Sequence, residues 1–386
     1  MPPMVPFDFQ PRTRIVFGPD KIDALGNLAS ELGARRALVV SDPGVIAAGH
    51  TARGIESLEH AGILTYLFDQ VQENPTTEDV AAGLHFARPH EPELIVGLGG
   101  GSSMDCAKGI NFLYSNGGQM RDYWGVGKAL RPMLPMIAVP TTAGTGSETQ
   151  SFALISDAET RVKMACGDKK ASCRVALLDP KLTVTQPPRI TALTGIDAIA
   201  HALETYVTKR RNPASLAFSR EAWHLLAANF SAVLDQPDNL ESRSGMQLGA
   251  CLAGLAIENS MLGATHALAN PLTTVYGVIH GEAVGLMLPH VIRFNGESFS
   301  SWYCELLETT GGTDGLPRPR QGAEGLAEFV TALTHQAGLA TRLGQCGVAK
   351  AKLPDLAEAA AQQWTAGFNP REVDQQSLLE LYQQAF

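Results

Sequence analysis

Apolar residues in the first half of the chain occur in short runs, and each run ends in residues that favour turns. The runs Ala37–Ser41, Pro92–Leu98 and Met136–Val139 are each followed closely by glycine or proline. Between them, Lys21–Leu32 and Thr77–Ala87 carry apolar residues at helical spacing. Strands that alternate with helices are typical of a parallel sheet covered by helices, so this part of the chain predicts an α/β domain.

The pattern changes near the middle of the chain. The segments Ser151–Ile155 and Arg161–Met164 flank a turn and predict a hairpin, and Val175–Leu178 predicts one further strand. Two adjacent prolines then occur in Val184–Ile190, where they favour an extended connector. We therefore place a domain boundary in that segment.

Beyond the two prolines the chain is predicted to be helical. Strand-like runs almost disappear, and long stretches rich in alanine and leucine follow. We predict an α/β domain over residues 1–185 and an all-α domain over residues 186–386. The mixture of glycine, proline and arginine at Gly311–Gly322 predicts a surface loop. The helices predicted in the second domain are Gly195–Val207, Pro213–Leu234, Ser244–Met261, His280–Phe294, Gly325–Ala337 and Leu353–Trp364.

Length, charge and cysteine usage narrow the class of protein. A chain of 386 residues is too long to fold around one ordinary hydrophobic core, so its length agrees with two domains. Its net charge of −9 disfavours nucleic acid or a membrane surface as a partner. Residues 1–6 do not have the pattern of an export signal, and the apolar runs are short for a bilayer. The six cysteines form no CxxC pair, so we expect a soluble protein of the reducing cytoplasm.

A glycine-rich turn follows one of the predicted strands. Gly99, Gly100 and Gly101 lead into Ser102 and a helical stretch that contains Asp105. Glycines let the backbone approach a pyrophosphate, and the start of the helix adds a partial positive charge. The segment is neither a GxGxxG fingerprint nor a Walker A loop, and a plain tight turn is the alternative interpretation.

A second polar segment, Pro140–Glu148, also follows an apolar run and is dense in hydroxyl groups. Two such segments at one end of a parallel sheet form the kind of crevice that binds nucleotides. Asp42 ends another predicted strand, where it can accept hydrogen bonds from an adenosine ribose and repel a 2′-phosphate. NAD is therefore favoured over NADP, and an Asx turn with Pro43 is the alternative role of Asp42.

Four polar side chains in the predicted helical domain indicate a metal site. Asp197 and His201 are four residues apart in a segment of strong helical character, so they share one helical face. His266 and His280 follow later, each beside small residues. Three imidazoles and a carboxylate suit Fe(II) or Zn(II), and an open position would polarise an alcohol or aldehyde oxygen. The alternative is that each histidine is a hydrogen-bonded structural residue.

With the glycine turn, the polar segment and the histidine-containing segments in this order along the sequence, the chain resembles the iron-containing (group III) alcohol dehydrogenase family from about Arg12 to the C-terminus. The resemblance rests on four sequences: GGGSSMDCAK at Gly99–Lys108, PTTAGTGSE at Pro140–Glu148, GIDAIAHALE at Gly195–Glu204, and the histidine–glycine pair at His280. It implies a Rossmann-like, dehydroquinate-synthase-like α/β domain, NAD as cofactor, a small alcohol or aldehyde as substrate, and a homodimer.

The resemblance also assigns site residues. It makes Asp197, His201, His266 and His280 the metal ligands. One departure is Asn270, where many similar members carry a second histidine on the proton route, so the proton relay stays open. The cofactor-binding residues that it implies are Asp42, Asn74, Gly99, Gly100, Gly101, Ser102, Asp105, Thr141, Thr142, Thr145 and Lys163.

Two other functions are left open at this point. A lyase resembling dehydroquinate synthase would use NAD and a metal in a related fold, but its phosphate-bearing substrate calls for lysine and arginine near the metal, and few occur there. A non-catalytic nucleotide-binding protein would bind NAD without turnover. The sequence also leaves open the identity of the alcohol and the choice between iron and zinc.

Overall fold

The computed structural model of the chain describes residues 6–310 and 321–386. Residues 1–5 and most of the loop predicted at Gly311–Gly322 therefore lie outside the described residues. The chain divides into two compact units. The α/β unit comprises Gln10–Thr142 and Gly146–Gln186, and the helical unit comprises residues 6–9, Ala143–Thr145 and Pro187–Phe386.

Parallel strands and helices alternate in the α/β unit, as predicted. The strands of this unit are β1 Arg14–Phe17, β2 Arg36–Val40, β3 Leu64–Phe68, β4 Leu94–Gly99, β5 Gly125–Val126, β6 Met136–Pro140, β7 Phe152–Ser156, β8 Lys163–Gly167 and β9 Val175–Leu178. The larger sheet has the order β1-β9-β6-β4-β2-β3, and all of its strand pairs are parallel. The α-helices are α1 Leu25–Glu31, α2 Pro43–Ala47, α3 His50–His60, α4 Thr77–Ala87 and α5 Gly101–Asn116.

Strand β4 lies at the centre of the large sheet, between β2 and β6. All of its residues are buried, which explains its continuous apolar run, because a central strand of a parallel sheet is covered on both faces. In the register of the sheet, Val40 pairs with Gly97, and Gly99 pairs with Pro140. The residues that follow β2, β4 and β6 therefore come together at the carboxyl edge of the sheet.

The smaller sheet confirms the predicted hairpin. Strands β7 and β8 pair antiparallel, with Ile155 opposite Met164, and β5 adds to β8. The predicted start of α4 is also confirmed. The side chain of Thr76 accepts hydrogen bonds from the first turn, and Asp79 accepts a bond from the backbone of Thr76.

The regular secondary structure of the second unit, within its described residues, consists of helices that are joined by loops. Its core surrounds the first long helix, in which Ile196, Ile199 and Leu203 are buried. In the described part of the chain, no single helix has the length and apolar character to span a bilayer. Two consecutive helices, Leu240–Asn259 and Ala264–Tyr276, meet that test only when they are taken together, and they are bent by 105° relative to each other. The helices are α6 Pro188–Val207, α7 Pro213–Asp235, α8 Leu240–Asn259, α9 Ala264–Tyr276, α10 His280–Glu308, α11 Gly322–Gln336, α12 Leu353–Ala361 and α13 Gln375–Gln384.

Some predicted helix boundaries were wrong, and proline is the main reason. Helix α6 begins at Pro188 and not at Gly195, because a proline in the first helical position lacks only an N–H that has no helical partner. Helix α9 was not predicted, since Pro271 interrupts its pattern, yet the helix continues through it. Helix α12 ends at Ala361, and a separate 3-10 turn begins at Trp364.

Candidate functional site

The carboxylate of Asp197 stands at the centre of a group of imidazoles in the helical unit. Its Oδ1 atom lies 3.4 Å from Nε2 of His201, 3.3 Å from Nε2 of His266 and 3.7 Å from Nε2 of His280. Asp197, His201 and His266 are buried, and the side chain of His280 is 30% exposed. The structure thus brings together the four residues that the sequence predicts as metal ligands.

Small residues allow the helices that carry these side chains to approach one another. Asp197 and His201 lie one turn apart on α6, while His266 is on α9 and His280 begins α10. A Cβ atom on Gly281 would lie only 2.2 Å from the carbonyl oxygen of Leu193 on α6. The glycine after His280 therefore lets the start of α10 pack directly against α6.

Two of the imidazole rings are oriented by hydrogen bonds on their far side. Nδ1 of His266 bonds to Oε2 of Glu204, and Nδ1 of His201 lies 3.3 Å from the carbonyl oxygen of Gly144. Both partners are acceptors, so Nδ1 of each ring donates and a neutral ring keeps its lone pair on Nε2. Nε2 of His266 also lies 3.3 Å from Oδ1 of Asp197, a contact that requires a proton on this nitrogen. A cation that displaced this proton would meet two imidazole lone pairs and a carboxylate oxygen, which is an arrangement that fits a bound cation.

The electrostatics of the group also favour a positive charge. Burial opposes ionisation of Asp197, but the imidazoles of His201, His280 and His266 outweigh it and hold the pKa of the carboxyl well below its usual range. For His266, burial disfavours the charged ring, yet Glu204 and Asp197 raise its pKa to about 9. Burial lowers the pKa of His201. Asp197, His201 and His266 are groups that could hold a metal ion.

The glycine turn of the α/β unit joins β4 to α5. Gly99 has φ +153°, and a Cβ atom there would lie 2.4 Å from Oγ of Ser103 and 2.9 Å from Oδ2 of Asp42. Gly100 precedes α5 and has no side chain with which to accept bonds from the first amides of that helix. These amides are the donors that a pyrophosphate would use.

Asp42 lies beside this turn and has protein partners for both carboxylate oxygens. Oδ1 accepts bonds from the backbone amides of Gly44 at 3.0 Å and Val45 at 3.1 Å, so Asp42 caps α2. Oδ2 accepts a bond of 2.9 Å from Oγ of Ser103. The bond from Gly44 to Oδ1 also closes the Asx turn that was the alternative interpretation. A contact to ribose stays a prediction. Oδ1 already accepts two bonds, whereas Oδ2 accepts only one from the protein and can accept another.

Asn74, Ser102 and Lys163 come together, although they are far apart in the sequence. The backbone amide of Asn74 donates to Oγ of Ser102 at 3.2 Å, and Nζ of Lys163 donates to Oδ1 of Asn74 at 3.4 Å. Asn74 adopts a positive φ of 53°. The structure therefore links the start of α5 to the hairpin through three of the predicted cofactor residues.

Of the predicted threonines, two lie at the glycine turn. The backbone amide of Thr141 donates to the carbonyl oxygen of Gly99 at 3.0 Å. Thr142 lies beside Gly100, where an added Cβ atom would meet its methyl group at 3.4 Å. Thr145 belongs to the short segment Ala143–Thr145, which groups with the helical unit.

Asp105 bonds to a side chain in the interior of the α/β unit. Its Oδ1 atom accepts a bond of 2.8 Å from Oγ of Ser147, and burial raises the pKa of its carboxyl. Nζ of Lys108 also donates to Oγ of Ser147, at 2.8 Å, and to the carbonyl oxygen of Phe152 at 2.9 Å. Asp105 and Lys108 thus tie α5 to the polar segment that follows β6.

Matches to known families cover almost the whole chain. Residues 11–180 match the family described as iron-containing alcohol dehydrogenase, and residues 191–386 match the C-terminal region of the Fe-containing alcohol dehydrogenase family. The chain belongs to the iron-containing alcohol dehydrogenase family. The resemblance inferred from the motifs is confirmed.

Several relatives of this iron-containing alcohol dehydrogenase match along nearly their full length. The 1,3-propanediol dehydrogenase of Klebsiella pneumoniae is 34% identical, with 98% of this chain and 99% of that protein covered. The NAD-dependent methanol dehydrogenase of Bacillus methanolicus is 30% identical, with coverage of 96% and 97%. A crystal structure of 1,3-propanediol oxidoreductase superposes with a TM-score of 0.94 at 33% identity, over 99% of this chain and 100% of that one.

Sequence reasoning missed two groups in the site of this family member. Glu204 bonds to His266, and the carbonyl of Gly144 faces His201. A glutamate three residues after His201, in a segment with few other charged residues, was the sequence signal for Glu204. A backbone carbonyl leaves no signal in the sequence. Asn270, the departure from the family pattern, donates a bond of 3.0 Å to Oε1 of Gln363.

Proposed function

We propose that this protein is an NAD-dependent, metal-dependent alcohol dehydrogenase that interconverts an alcohol and its aldehyde or ketone. The observation that carries the proposal is the convergence of three imidazole Nε2 atoms on one carboxylate oxygen of Asp197. Membership of the iron-containing family supports it, as do relatives that act as propanediol and methanol dehydrogenases. These findings do not favour the lyase alternative or a non-catalytic role.

Asp197, His201, His266 and His280 would hold one divalent cation, and the family favours Fe(II) over Zn(II). When bound, the cation supplies a Lewis acid for the substrate oxygen, and NAD supplies the hydride acceptor. The bonds that Nδ1 of His266 donates to Glu204 and Nδ1 of His201 donates to the Gly144 carbonyl would keep the two Nε2 lone pairs available to the cation.

The α/β unit would bind the cofactor. The first amides of α5 would hold the pyrophosphate beside Gly99, Gly100 and Gly101, and Asp42 would accept bonds from the adenosine ribose. The remaining residues that we assign to the cofactor are Asn74, Ser102, Asp105, Thr141, Thr142, Thr145 and Lys163.

Asn270 would not transfer the proton in this enzyme. An amide has no suitable pKa for that role, and its N–H group is used in the bond to Gln363. We further propose a cytoplasmic homodimer that acts on a small-molecule alcohol. The six cysteines, all of them in the described part of the chain, are free thiols, which suits a reducing compartment. Twofold oligomers are the commonest assemblies, which supports the dimer.

The test combines elemental analysis with NADH formation across a panel of alcohols. We expect a bound divalent metal and alcohol-dependent NADH formation. We expect His266→Ala to weaken metal binding severely and to lose NADH formation, because it removes one of the converging nitrogens. His335→Ala serves as the control, since His335 is exposed on the last turn of α11. Undiminished activity in a metal-stripped preparation would contradict the Lewis-acid role.

A further inference from the structure

We propose that Glu204 is a positioning residue of the metal centre, and that it holds His266 in the one tautomer whose Nε2 atom can bind a cation. This inference rests on the proposed function and concerns a side chain that does not itself face the cation. Glu204 lies on α6, one turn beyond His201, and is only 4% exposed. Its environment is therefore defined by protein groups.

Both carboxylate oxygens of Glu204 are used at the start of α9. Oε2 accepts the bond from Nδ1 of His266, and Oε1 accepts a bond of 2.7 Å from the backbone amide of Thr265. Because the two acceptors face two donors on adjacent residues, the carboxylate cannot rotate without losing both bonds. The ring of His266 is thus fixed relative to α6, the helix that carries Asp197.

The room for this carboxylate is provided by a glycine. Gly263 precedes α9, and a Cβ atom there would lie 3.2 Å from Oε1 of Glu204 and 3.0 Å from Oδ1 of Asn369. Oδ1 of Asn369 accepts a bond of 3.3 Å from the amide of Ala264. Glu204 and Asn369 together receive the first amides of α9, where a negative charge is also favoured by the helix dipole.

Glu204 and Asp197 lie on opposite sides of the His266 ring. A buried carboxylate is costly unless positive charge lies close to it. A divalent cation at the site would supply positive charge near both carboxyl groups, directly to Asp197 and through the ring to Glu204. A carboxylate that bonds to the far side of a metal-binding histidine is common in proteins. It orients the imidazole ring and increases the basicity of the ring.

This geometry makes Glu204→Gln an informative change, because glutamine has nearly the same shape. Its amide has one acceptor oxygen and one donor NH2 group. The Thr265 amide requires the oxygen, so the NH2 group faces Nδ1 of His266, which then has to accept. The single proton of the neutral ring is then held on Nε2, and the lone pair with which Nε2 would bind the cation is lost. A residue with a merely structural role would tolerate this substitution.

The experiment measures the Zn(II) dissociation constant of the full-length protein by competition with a chelator. We expect Glu204→Gln to weaken binding by roughly 10- to 100-fold, the usual effect of losing such an outer partner. Glu305→Gln is the control, since Glu305 accepts a bond from the Tyr206 hydroxyl within the same unit. We expect its Zn(II) affinity to equal that of the wild type.

A double-mutant cycle separates positioning from general damage. If Glu204 acts through the His266 ring, Glu204→Gln should have no further effect on Zn(II) affinity in a His266→Ala background. The same loss in both backgrounds would overturn the proposal, as would a wild-type affinity in Glu204→Gln. If Glu204→Gln does not fold, Glu204→Asp provides the test. Aspartate keeps the carboxylate, but its shorter side chain does not reach the His266 ring, so Zn(II) binding should also weaken.

The two proposals fail in different ways. A metal-loaded wild type that forms no NADH with any alcohol counts against the dehydrogenase. Unchanged Zn(II) affinity in the Glu204 variants counts against the positioning role. The absorption spectrum of the Co(II)-substituted protein gives a second readout, since a changed His266 ligand alters the coordination and a distant structural change does not.

Discussion

Single residues near the glycine turn have structural roles beside the recognition that we propose for them. Asp42 caps α2 and receives the hydroxyl of Ser103, so its carboxylate is held at the edge of the sheet where β2 ends. Its position agrees with the expected contact to a ribose, and its charge disfavours a 2′-phosphate. The choice between NAD and NADP can therefore be tested at this residue.

Asp42→Ala should increase the use of NADP relative to NAD, because it removes the negative charge that repels the 2′-phosphate. We expect the ratio of kcat/KM for NADP to that for NAD to rise by about tenfold, equivalent to about 1.4 kcal/mol. The loss of the helix cap should also cost about 1 kcal/mol of stability. Ser103→Ala is the matched control, since it removes one bond to Asp42 and keeps the charge. An unchanged ratio in Asp42→Ala would contradict the ribose contact.

His290 gives a residue-scale prediction about pH. Burial and the neighbouring charge of Arg293 lower its pKa from 6.5 to about 4. Arg342 lines the same cavity, and Glu324 is paired with Arg293. Between these two pKa values the unfolded chain binds more protons than the folded one, so this contribution destabilises the fold as pH falls below 6.5.

We therefore expect His290→Gln to lose less thermal stability than the wild type between pH 7 and pH 5. The measurement is Tm in matched buffers at roughly these two pH values, which bracket the ordinary histidine pKa. His335→Gln is the control, because the exposed His335 should not alter the pH dependence. An identical fall of Tm in His290→Gln and wild type would refute the assignment.

At the scale of elements, the proposed metal centre depends on how closely three helices pack. Helix α6 supplies two of its side chains, and α9 and α10 supply one each. Gly281 and Gly285 both face α6, where added Cβ atoms would meet Leu193 at 2.2 Å and Ile196 at 2.7 Å. The glycine after His280 is explained by this contact between helices.

Gly281→Ala should displace the start of α10 and move His280 away from Asp197. In an unconstrained helix this change would stabilise the protein by up to about 1 kcal/mol. Here we expect lower Tm and a Zn(II) affinity reduced by at least about tenfold. Gly344→Ala is the control, because an added Cβ atom there meets nothing within 4 Å. A Gly281→Ala protein that is more stable and binds metal normally would show that the contact is unimportant.

At the scale of the whole molecule, metal binding should couple activity to stability. The four side chains come from three helices, so a cation that binds them binds the folded helical unit and not the unfolded chain. Such a ligand stabilises the fold by about 4 kcal/mol when its concentration is a thousand times Kd. Activity and resistance to heating should therefore be lost together.

Treatment with a chelator should lower Tm and abolish NADH formation, and added Zn(II) or Fe(II) should restore both. His266→Ala should show little change of Tm with chelator, because it has already lost the site. Differential scanning fluorimetry and a parallel alcohol assay provide the measurements. If Tm is insensitive to the chelator while activity is lost, the cation is not a structural link between α6, α9 and α10.

Much of the fold and part of the site could be predicted from the sequence, because those features depend on near neighbours. Short apolar runs that end in turn residues identified the parallel strands and the hairpin. The four-residue spacing of Asp197 and His201 placed them on one helical face. The glycine turn was recognised because few residues other than glycine tolerate the backbone conformation of Gly99.

The sequence by itself determined which residue types were available for the chemistry and which local structures carry most of them. Only the tertiary structure decided that His266 and His280 meet Asp197, and that Glu204 rather than a water or a backbone group orients His266. The reason is physical: local patterns record interactions along a few turns of chain, whereas convergence depends on the packing of α9 and α10 against α6, and such packing is set by contacts between segments that no spacing in the sequence encodes.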